Sequence, residues 1–230
     1  MKYLILSHCF VRDESEKDKV NIFNFVVDYF KQKYSDLTVI VAGHGIDSIK
    51  DSIKADRILW YPFMPSEIGF GHPVCVRNSL ILAKELGAKN ILKMRLDSFS
   101  SHDNIFEYCE NIINKENKKC LITAQTNLNH LIGDLFMYGD VDFLISIWES
   151  KDWVYNYDGM INLKNIFDKK YNSTVQDFFS YRSNDSLKWM FVTPSNLQEI
   201  STSNLNENYH KYLWDKYYGS YISEADFYKK

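Results

Sequence analysis

The residues best suited to chemistry lie in one short stretch, Asn90–Ser98, where an apolar run alternates with charged side chains. Its charged members are Lys93, Arg95 and Asp97. Residues two apart share a face of a β-strand, so we predict that these three side chains lie on the same side of a sheet. Two cations and a carboxylate at the end of a buried strand are suited to a phosphorylated ligand, or to a metal ion that bridges to one.

An internal ion pair is the simpler interpretation of an isolated Arg-x-Asp such as Arg95 and Asp97. Lys93 favours a functional interpretation, because three charges on one face of a buried strand are costly to desolvate without a polar ligand or a water-filled cleft. We therefore predict that the three side chains face a crevice at the carboxyl end of the strand. Open α/β sheets bind their ligands in that place.

Segments with alternating strand and helix patterns surround this stretch. The predicted strands cover residues 4–7, 37–42, 57–61, 90–97 and 120–124, and the predicted helices cover 20–34, about 73–86 and 102–114. Such alternation predicts an α/β fold with a mostly parallel central sheet flanked by helices. Parallel strands end at one edge of a sheet, so we expect that edge to collect Ser7, His8, Gly43, His44 and residues 95–98.

Four residues are predicted to mark helix ends. Ser15 and Asp140 are candidate N-caps, Pro73 suits the first turn of a helix, and Gly87 suits a C-terminal cap.

After residue 124 the pattern becomes less regular. It predicts helices over 141–148, 163–179 and 209–218 and a strand over 187–192. The end of the chain is rich in Tyr and Trp, which at helical spacing indicates packing more often than a sugar-stacking surface. No repeat or low-complexity linker divides the chain, so we predict one domain over residues 1–230 with a helical, aromatic-rich C-terminal extension.

Composition excludes several classes of protein. The net charge of −3 provides no field that attracts nucleic acid. No apolar run approaches the roughly 20 residues of a transmembrane helix, and the N-terminal apolar run is too short for a signal peptide. The four cysteines contain no Cys-x-x-Cys pair, which argues against a zinc knuckle or a disulfide scaffold and favours a cytoplasmic protein, free or at the membrane surface; they are Cys9, Cys75, Cys109 and Cys120.

Asp134, in a Gly-Asp pair ahead of an apolar run, is a candidate catalytic base. Partial desolvation would raise the pKa of such a carboxyl toward useful basicity. A helix N-cap is an equally good interpretation of Asp134. Asp140, Asp142 and Asp158 compete for the same catalytic role.

Three histidines follow one another in predicted loops: His8, His44 and His72. They lack the close spacing of helical zinc ligands, so hydrogen-bonded loop residues are the favoured interpretation. The short motifs Gly43-His-Gly45 and Gly69-Phe-Gly71 are too small for a phosphate loop or a dinucleotide fingerprint, which argues against a P-loop enzyme and a dehydrogenase.

The run from Phe70 to Ser98 resembles the WavE-type family of lipopolysaccharide-synthesis glycosyltransferases. In that family an arginine-bearing helix precedes a strand reading roughly Lys-x-Arg-x-Asp. The matching residues here are Arg77-Asn78 and Lys93-Met-Arg-Leu-Asp97, with Asn78 where the family has glutamine. A later family element is similar to Gly133-Asp-Leu-Phe-Met-Tyr-Gly139 followed by Ile147-Trp148, and the whole similarity covers residues 1–150.

The resemblance implies a GT-A-like, Rossmann-like nucleotide-sugar fold, with residues 1–124 as the nucleotide-sugar-binding half and 125–230 as the acceptor half. Such enzymes usually carry an Asp-x-Asp that binds a divalent cation, Mn²⁺ or Mg²⁺, on the donor diphosphate. Here Arg95-Leu-Asp97 takes that place, so one carboxylate remains as a metal ligand and Arg95 can itself neutralise the diphosphate.

The combined hypothesis is a glycosyltransferase that moves a sugar from a nucleotide-diphospho-sugar donor to a glycan acceptor such as a surface polysaccharide. Asp134 is its predicted base if the enzyme inverts the anomeric centre, and a retaining mechanism stays open. Asp97 is predicted to bind the ribose or the metal. The predicted donor site consists of Ser7, His8, Cys9, Arg77, Lys93, Arg95 and Asp97. Two alternatives stay open: a nucleotide-binding α/β protein without transfer chemistry, and an assembly protein that uses the aromatic tail.

Overall fold

Seven strands form one sheet in the computed structural model, which describes residues 1–62, 68–123, 132–153, 159–193 and 196–202. The strand order is β3-β2-β1-β4-β7-β6-β8. Of these described strands, β7 is antiparallel to both neighbours and the other six run in one direction. The strands are β1 (Lys2–Val11), β2 (Leu37–Gly45), β3 (Arg57–Pro62), β4 (Asn90–Arg95), β6 (Cys120–Thr123), β7 (Phe136–Asp140) and β8 (Phe179–Arg182). The predicted mostly parallel central sheet is confirmed.

Helices cover both faces of this sheet, as the alternating pattern predicts. The described helices are α1 (Lys19–Lys33), α2 (Ile68–Glu85), α3 (Ile105–Glu116), α4 (Val141–Ile147), α5 (Gly159–Lys170), α6 (Val175–Phe178), α7 (Asn184–Leu187) and α8 (Leu197–Thr202). A small antiparallel pair, β5 (Ser98–Ser100) with β9 (Trp189–Phe191), continues from the end of β4. None of the described helices combines the length and apolar character that crossing a membrane requires.

The core has two halves, one on each face of the sheet. Leu4 and Leu6 of β1 pack with α1 and α3 in one half, whereas Tyr3 and Ile5 pack with α2, α4 and α5 in the other. Successive side chains of a strand point to opposite faces, so a strand buried on both faces is apolar throughout. That is why β1 and β2 contain continuous apolar runs in the sequence, whereas β4 is interrupted by Lys93.

Two predicted helix ends are correct. Gly87 ends α2 with φ of +92°, its N–H donating to the Lys84 carbonyl and the next N–H to the Ala83 carbonyl. Asp140 caps α4 by accepting a hydrogen bond from the Phe143 N–H at 2.8 Å.

Two other helix-end predictions are wrong. Ser15 lies inside a short 3₁₀ helix, Glu14–Glu16, whose N-cap is Asp13, and its N–H donates to the Asp13 carboxylate. The N-cap position of α1 itself is Asp18. Helix α2 begins at Ile68, so Pro73 is its sixth residue and not part of its first turn. An interior proline removes one N–H donor and crowds the carbonyl four residues earlier, a cost that the packing of α2 on the sheet offsets.

The single helix predicted over 163–179 is also wrong. Helix α5 ends at Lys170, and a capping box between Thr174 and Asp177 starts the short α6, which leads directly into β8. The strand predicted over 187–192 is shorter than expected, since residues 184–187 are helical. The helix predicted over 209–218 lies outside the described residues.

Candidate active site

The carboxyl ends of β1, β2 and β4 lie at one edge of the sheet, together with the residues just before β7. Ser7 is in register with Arg95, and the Leu96 N–H donates to the Ser7 carbonyl at 3.0 Å. Since β7 is antiparallel to β4, its first pair, Met94 with Phe136, places Asp134 beside the end of β4. Segments that are 40 to 130 residues apart in the sequence therefore meet at this edge.

Arg95 and Asp97 form a bidentate ion pair at the end of β4. The Nε atom donates to Oδ1 at 2.8 Å and the Nη2 atom to Oδ2 at 2.7 Å. The two side chains are 27% and 32% exposed, so the pair is accessible from solvent at the sheet edge. The simple interpretation of this motif, an internal ion pair, is thus correct, and the partly exposed guanidinium can still receive a ligand.

Ser7 lies beside this pair on the same face of the sheet. The residue is fully buried, and within the described part of the chain its Oγ has no hydrogen-bond partner. A buried hydroxyl without a partner is uncommon, because losing its hydrogen bond to water costs free energy. The position fits the predicted contact with a ligand. The side chains of His8 and Cys9, predicted to act with Ser7, lie outside the described part of the structure.

Lys93 departs from the prediction: it faces no crevice and is fully buried. Its Nζ atom donates to the backbone carbonyl of Asp134 and lies 4.9 Å from the centre of the Trp148 ring. Burial lowers its pKa from 10.5 to about 8, against the opposing effect of the Asp134 carboxylate. The prediction of a crevice was wrong because a backbone carbonyl and an indole ring, not a ligand, compensate the cost of burying the ammonium. Its predicted role in donor binding therefore has no support in this geometry.

Asp134, the predicted base, lies next to this lysine and is 16% exposed. One of its carboxylate oxygens is 3.8 Å from Nδ1 of His72. The first residue of α5, Gly159, approaches so closely that a Cβ there would lie 2.5 Å from Asp134 Oδ2. The carboxylate is thus partly desolvated and held between α2 and α5, not at the N-terminus of a helix of its own. The alternative interpretation of Asp134 as an N-cap is wrong, since β7 follows it.

His72 is a residue of this site that sequence reasoning assigned to a loop. It lies in α2, and its ring meets those of Trp148 and Trp153 edge-on at centroid distances of 5.0 and 6.0 Å. The helical spacing of apolar residues in this stretch could have placed His72 in a helix. The prediction missed it because it started the helix at Pro73. The fifth residue of a helix that begins at the carboxyl edge can still reach that edge.

The Arg77 side chain forms an ion pair with Glu149. Its Nε atom is 3.2 Å from a carboxylate oxygen of Glu149, which lies 4.0 Å from the Lys170 ammonium. The neighbouring Asn78 donates to the Tyr61 hydroxyl at 2.7 Å. The contacts of Glu149 join α2 to the segment after α4 and to α5, and the contact of Asn78 joins α2 to β3. They leave the diphosphate role predicted for Arg77 without geometric support.

The residues of this edge do not fit a divalent metal ion. Both oxygens of Asp97 are engaged by the Arg95 guanidinium, which also places a positive charge where a second metal ligand would lie. Across the described ranges, no group of three or more His, Cys, Asp or Glu side chains is arranged to hold a metal. We therefore assign no metal to Asp97.

Solved structures with this arrangement of strands exist. A 4-diphosphocytidyl-2C-methyl-D-erythritol synthase from Anaerococcus prevotii matches with a TM-score of 0.51 and 10% identity, over 87% of this chain and 96% of that one. HddC from Yersinia pseudotuberculosis matches with a TM-score of 0.50 and 10% identity, over 87% and 98%. The chain shares their fold. It is a mostly parallel sheet flanked by helices, as the alternating strand and helix pattern predicts.

Weaker similarity extends to a glycosyltransferase involved in glycosylation of the major capsid of PBCV-1. That match has a TM-score of 0.46 and 10% identity over 80% of this chain and 84% of the other, too low to define a shared fold. No protein-family model and no curated protein sequence matches the chain. The resemblance to the WavE-type family therefore stays a prediction.

Proposed function

We propose that this chain is a transferase that takes a sugar from a nucleotide-diphospho-sugar and attaches it to a hydroxyl group of a glycan. One observation carries the proposal: three groups meet at the carboxyl edge of a GT-A-like sheet. They are an accessible arginine–carboxylate pair, a buried hydroxyl without a hydrogen-bond partner among the described residues, and a partly buried carboxylate. In open α/β sheets, that edge is where ligands bind. The matched synthase, named for a diphosphocytidyl product, adds support from the fold.

The donor side of the site consists of the ends of β1 and β4. Arg95 offsets the charge of the diphosphate, a task suited to a planar guanidinium with several donors. Asp97 holds Arg95 in place through the bidentate pair and accepts a hydrogen bond from the ribose. Ser7 lines the nucleoside pocket.

The acceptor side contains Asp134. Its carboxylate takes the proton of the acceptor hydroxyl while the hydroxyl oxygen attacks the anomeric carbon. The bond from that carbon to the diphosphate breaks, and the nucleoside diphosphate leaves with the electron pair. A single displacement of this kind inverts the anomeric centre.

Nucleotide binding tests the donor site. Thermal unfolding is measured with UDP, GDP, CDP and CMP, each in Mn²⁺ and in EDTA. We expect one nucleoside diphosphate to raise the Tm, since a ligand that binds only the folded state stabilises it. The increase should persist in EDTA, because Arg95 occupies the place of a metal ligand.

The Arg95→Met variant should bind that nucleotide about tenfold more weakly or worse, because a charge-assisted hydrogen bond contributes roughly 1.5–3 kcal/mol. Arg57→Met, which removes an exposed arginine from the opposite end of β3, is the matched control and should bind normally. Indifference of the Tm to all four nucleotides would reject the donor site.

Asp134→Asn tests the catalytic assignment. We expect turnover of the nucleotide-sugar with the selected base to fall by about 10²–10⁴-fold, the usual contribution of a general base. The Kd of the nucleoside diphosphate should stay within about twofold of wild type. Wild-type turnover in this variant would exclude Asp134 as the base.

The alternative, a nucleotide-binding protein without transfer chemistry, is favoured by one observation. Asp97 is occupied by Arg95 where such enzymes usually present a metal-binding carboxylate pair. Nucleotide binding without turnover of any nucleotide-sugar, in wild type as in Asp134→Asn, would select this alternative.

A further inference from the structure

A buried lysine holds the segment that carries the proposed base. The ladder between β4 and β7 ends at the pair Met94 with Phe136, so Asp134 lies two residues beyond the last ladder pair. The ammonium of Lys93 reaches past this end and donates to the Asp134 carbonyl. It thereby replaces the hydrogen bonds with which the ladder would have fixed this backbone.

Two further elements face the Asp134 carboxylate. Nδ1 of His72 lies 3.8 Å from Oδ2, and the same oxygen lies against the Cα of Gly159. Gly159 is the first residue of α5, a helix of 12 residues. Backbone N–H groups in a first helical turn have no partner within the helix, and the helix dipole favours a negative charge there. We call Lys93, His72 and Gly159 the Asp134 pocket.

The burial of a charged side chain at Lys93 requires an explanation. A buried ammonium is costly, and an apolar side chain of similar length would usually fill the same space with equal or greater stability. Around this lysine, Asp134 raises its pKa, while burial and the charge of Arg95 lower it. The charged groups that act on it are thus Asp134, an anion, and Arg95, a cation.

We propose that Lys93 is a positioning residue that, with His72 and the first turn of α5, keeps the Asp134 carboxylate ionised and fixed toward the acceptor. This inference rests on the proposed role of Asp134 as the base. It replaces the role in donor binding that the sequence predicted for Lys93. An ionised carboxylate is the form that accepts a proton, so the pocket prepares the base before the acceptor arrives.

The titration of Asp134 tests the pocket without any substrate. Protein labelled with ¹³C at the aspartate carboxyl carbon is titrated by NMR, and Asp134→Asn assigns the resonance. We expect the midpoint of Asp134 to rise in Lys93→Met by about one to three pH units, since an opposite charge nearby shifts a pKa by that amount. Lys84→Met removes an exposed lysine from α2 and should leave the midpoint unchanged. An unchanged midpoint in Lys93→Met would overturn the proposal.

Two other variants keep the test open should Lys93→Met fail to fold. His72→Gln removes the imidazole whose Nδ1 faces Oδ2, and Gly159→Ala places a Cβ 2.5 Å from Oδ2 and so displaces the carboxylate without changing any charge. Both should move the midpoint, and unchanged midpoints in both would equally overturn the proposal. A pH profile of turnover should follow the NMR midpoint in each variant. Failure of the proposed function would appear separately, as absence of nucleotide binding with the midpoint shift intact.

Discussion

Lys93 and Arg95 are two residues apart on one strand and one face, yet their surroundings differ completely. Arg95 is at the sheet edge, where Asp97 binds it and solvent reaches it. Lys93 lies one step deeper, beneath the Trp148 ring, and is fully buried. Position along the strand, not side-chain type, therefore decides which cation can meet a ligand.

The pKa of Lys93 leads to a prediction about stability. The folded chain loses this proton near pH 8, whereas the unfolded chain keeps it up to about pH 10.5. The unfolded state therefore binds more protons between these values, and the free energy of unfolding rises with pH in that window. Measured by urea unfolding, the difference between wild type and Lys93→Met should shift in favour of wild type from pH 8 to 10.5. A difference that is constant across this range would contradict the burial of an ionised lysine.

At the scale of elements, the end of β2 forms the closest backbone approach near the site. Gly45 has φ of +137°, and a Cβ there would lie 2.0 Å from the Val11 carbonyl oxygen. The same oxygen accepts a hydrogen bond from the Ile46 N–H at 3.1 Å. The register between β1 and β2 shifts between Leu6 and Cys9, just before this contact. A residue without a side chain lets the two strands stay paired after the shift.

Gly45→Ala should therefore lower the free energy of unfolding by about 3 kcal/mol or more, from backbone strain together with the clash. Gly87→Ala is its control, because Gly87 also has a positive φ but no heavy atom lies within 4 Å of an added Cβ. We expect it to cost only about 1–2 kcal/mol, the strain alone. Urea unfolding measures the loss in free energy of unfolding for both variants. Equal losses would mean that the β1 backbone moves to make room for the added Cβ, and would contradict the predicted clash.

At the scale of the whole molecule, both halves of the core depend on one sheet. Phe23 of α1 and Phe167 of α5 are buried on opposite faces. Because β1 and β4 contribute side chains to both halves, neither half can keep its packing when the sheet is lost.

Phe23→Ala and Phe167→Ala should each lower the free energy of unfolding by about 3–5 kcal/mol, the usual cost of removing a buried phenyl ring. Each variant should still unfold in a single transition, with the same midpoint by far-UV circular dichroism and by tryptophan fluorescence. Transitions that separate between the two probes in either variant would show that the halves unfold independently.

The sequence by itself determined the fold class and the edge where the site lies. Apolar runs at β1, β2 and β4, the last interrupted by Lys93, alternate with segments of helical spacing, and this pattern admits few arrangements other than a mostly parallel sheet covered on both faces. Strand ends then meet at one edge, which is why Ser7, Arg95 and Asp97 were found together. The helix ends at Gly87 and Asp140 were predictable because each depends on the local sequence: a glycine that adopts a positive φ and an aspartate that caps the first turn.

Only the tertiary structure decided which of these groups a ligand can reach. Whether Lys93 faces solvent depends on Trp148, and whether Asp134 faces His72 depends on where α2 begins; both contacts join segments far apart in the sequence. Periodicity reports the face on which a side chain lies but not what covers that face. Burial and charge compensation at the site arise from such long-range contacts, and these form only when the helices pack on the sheet.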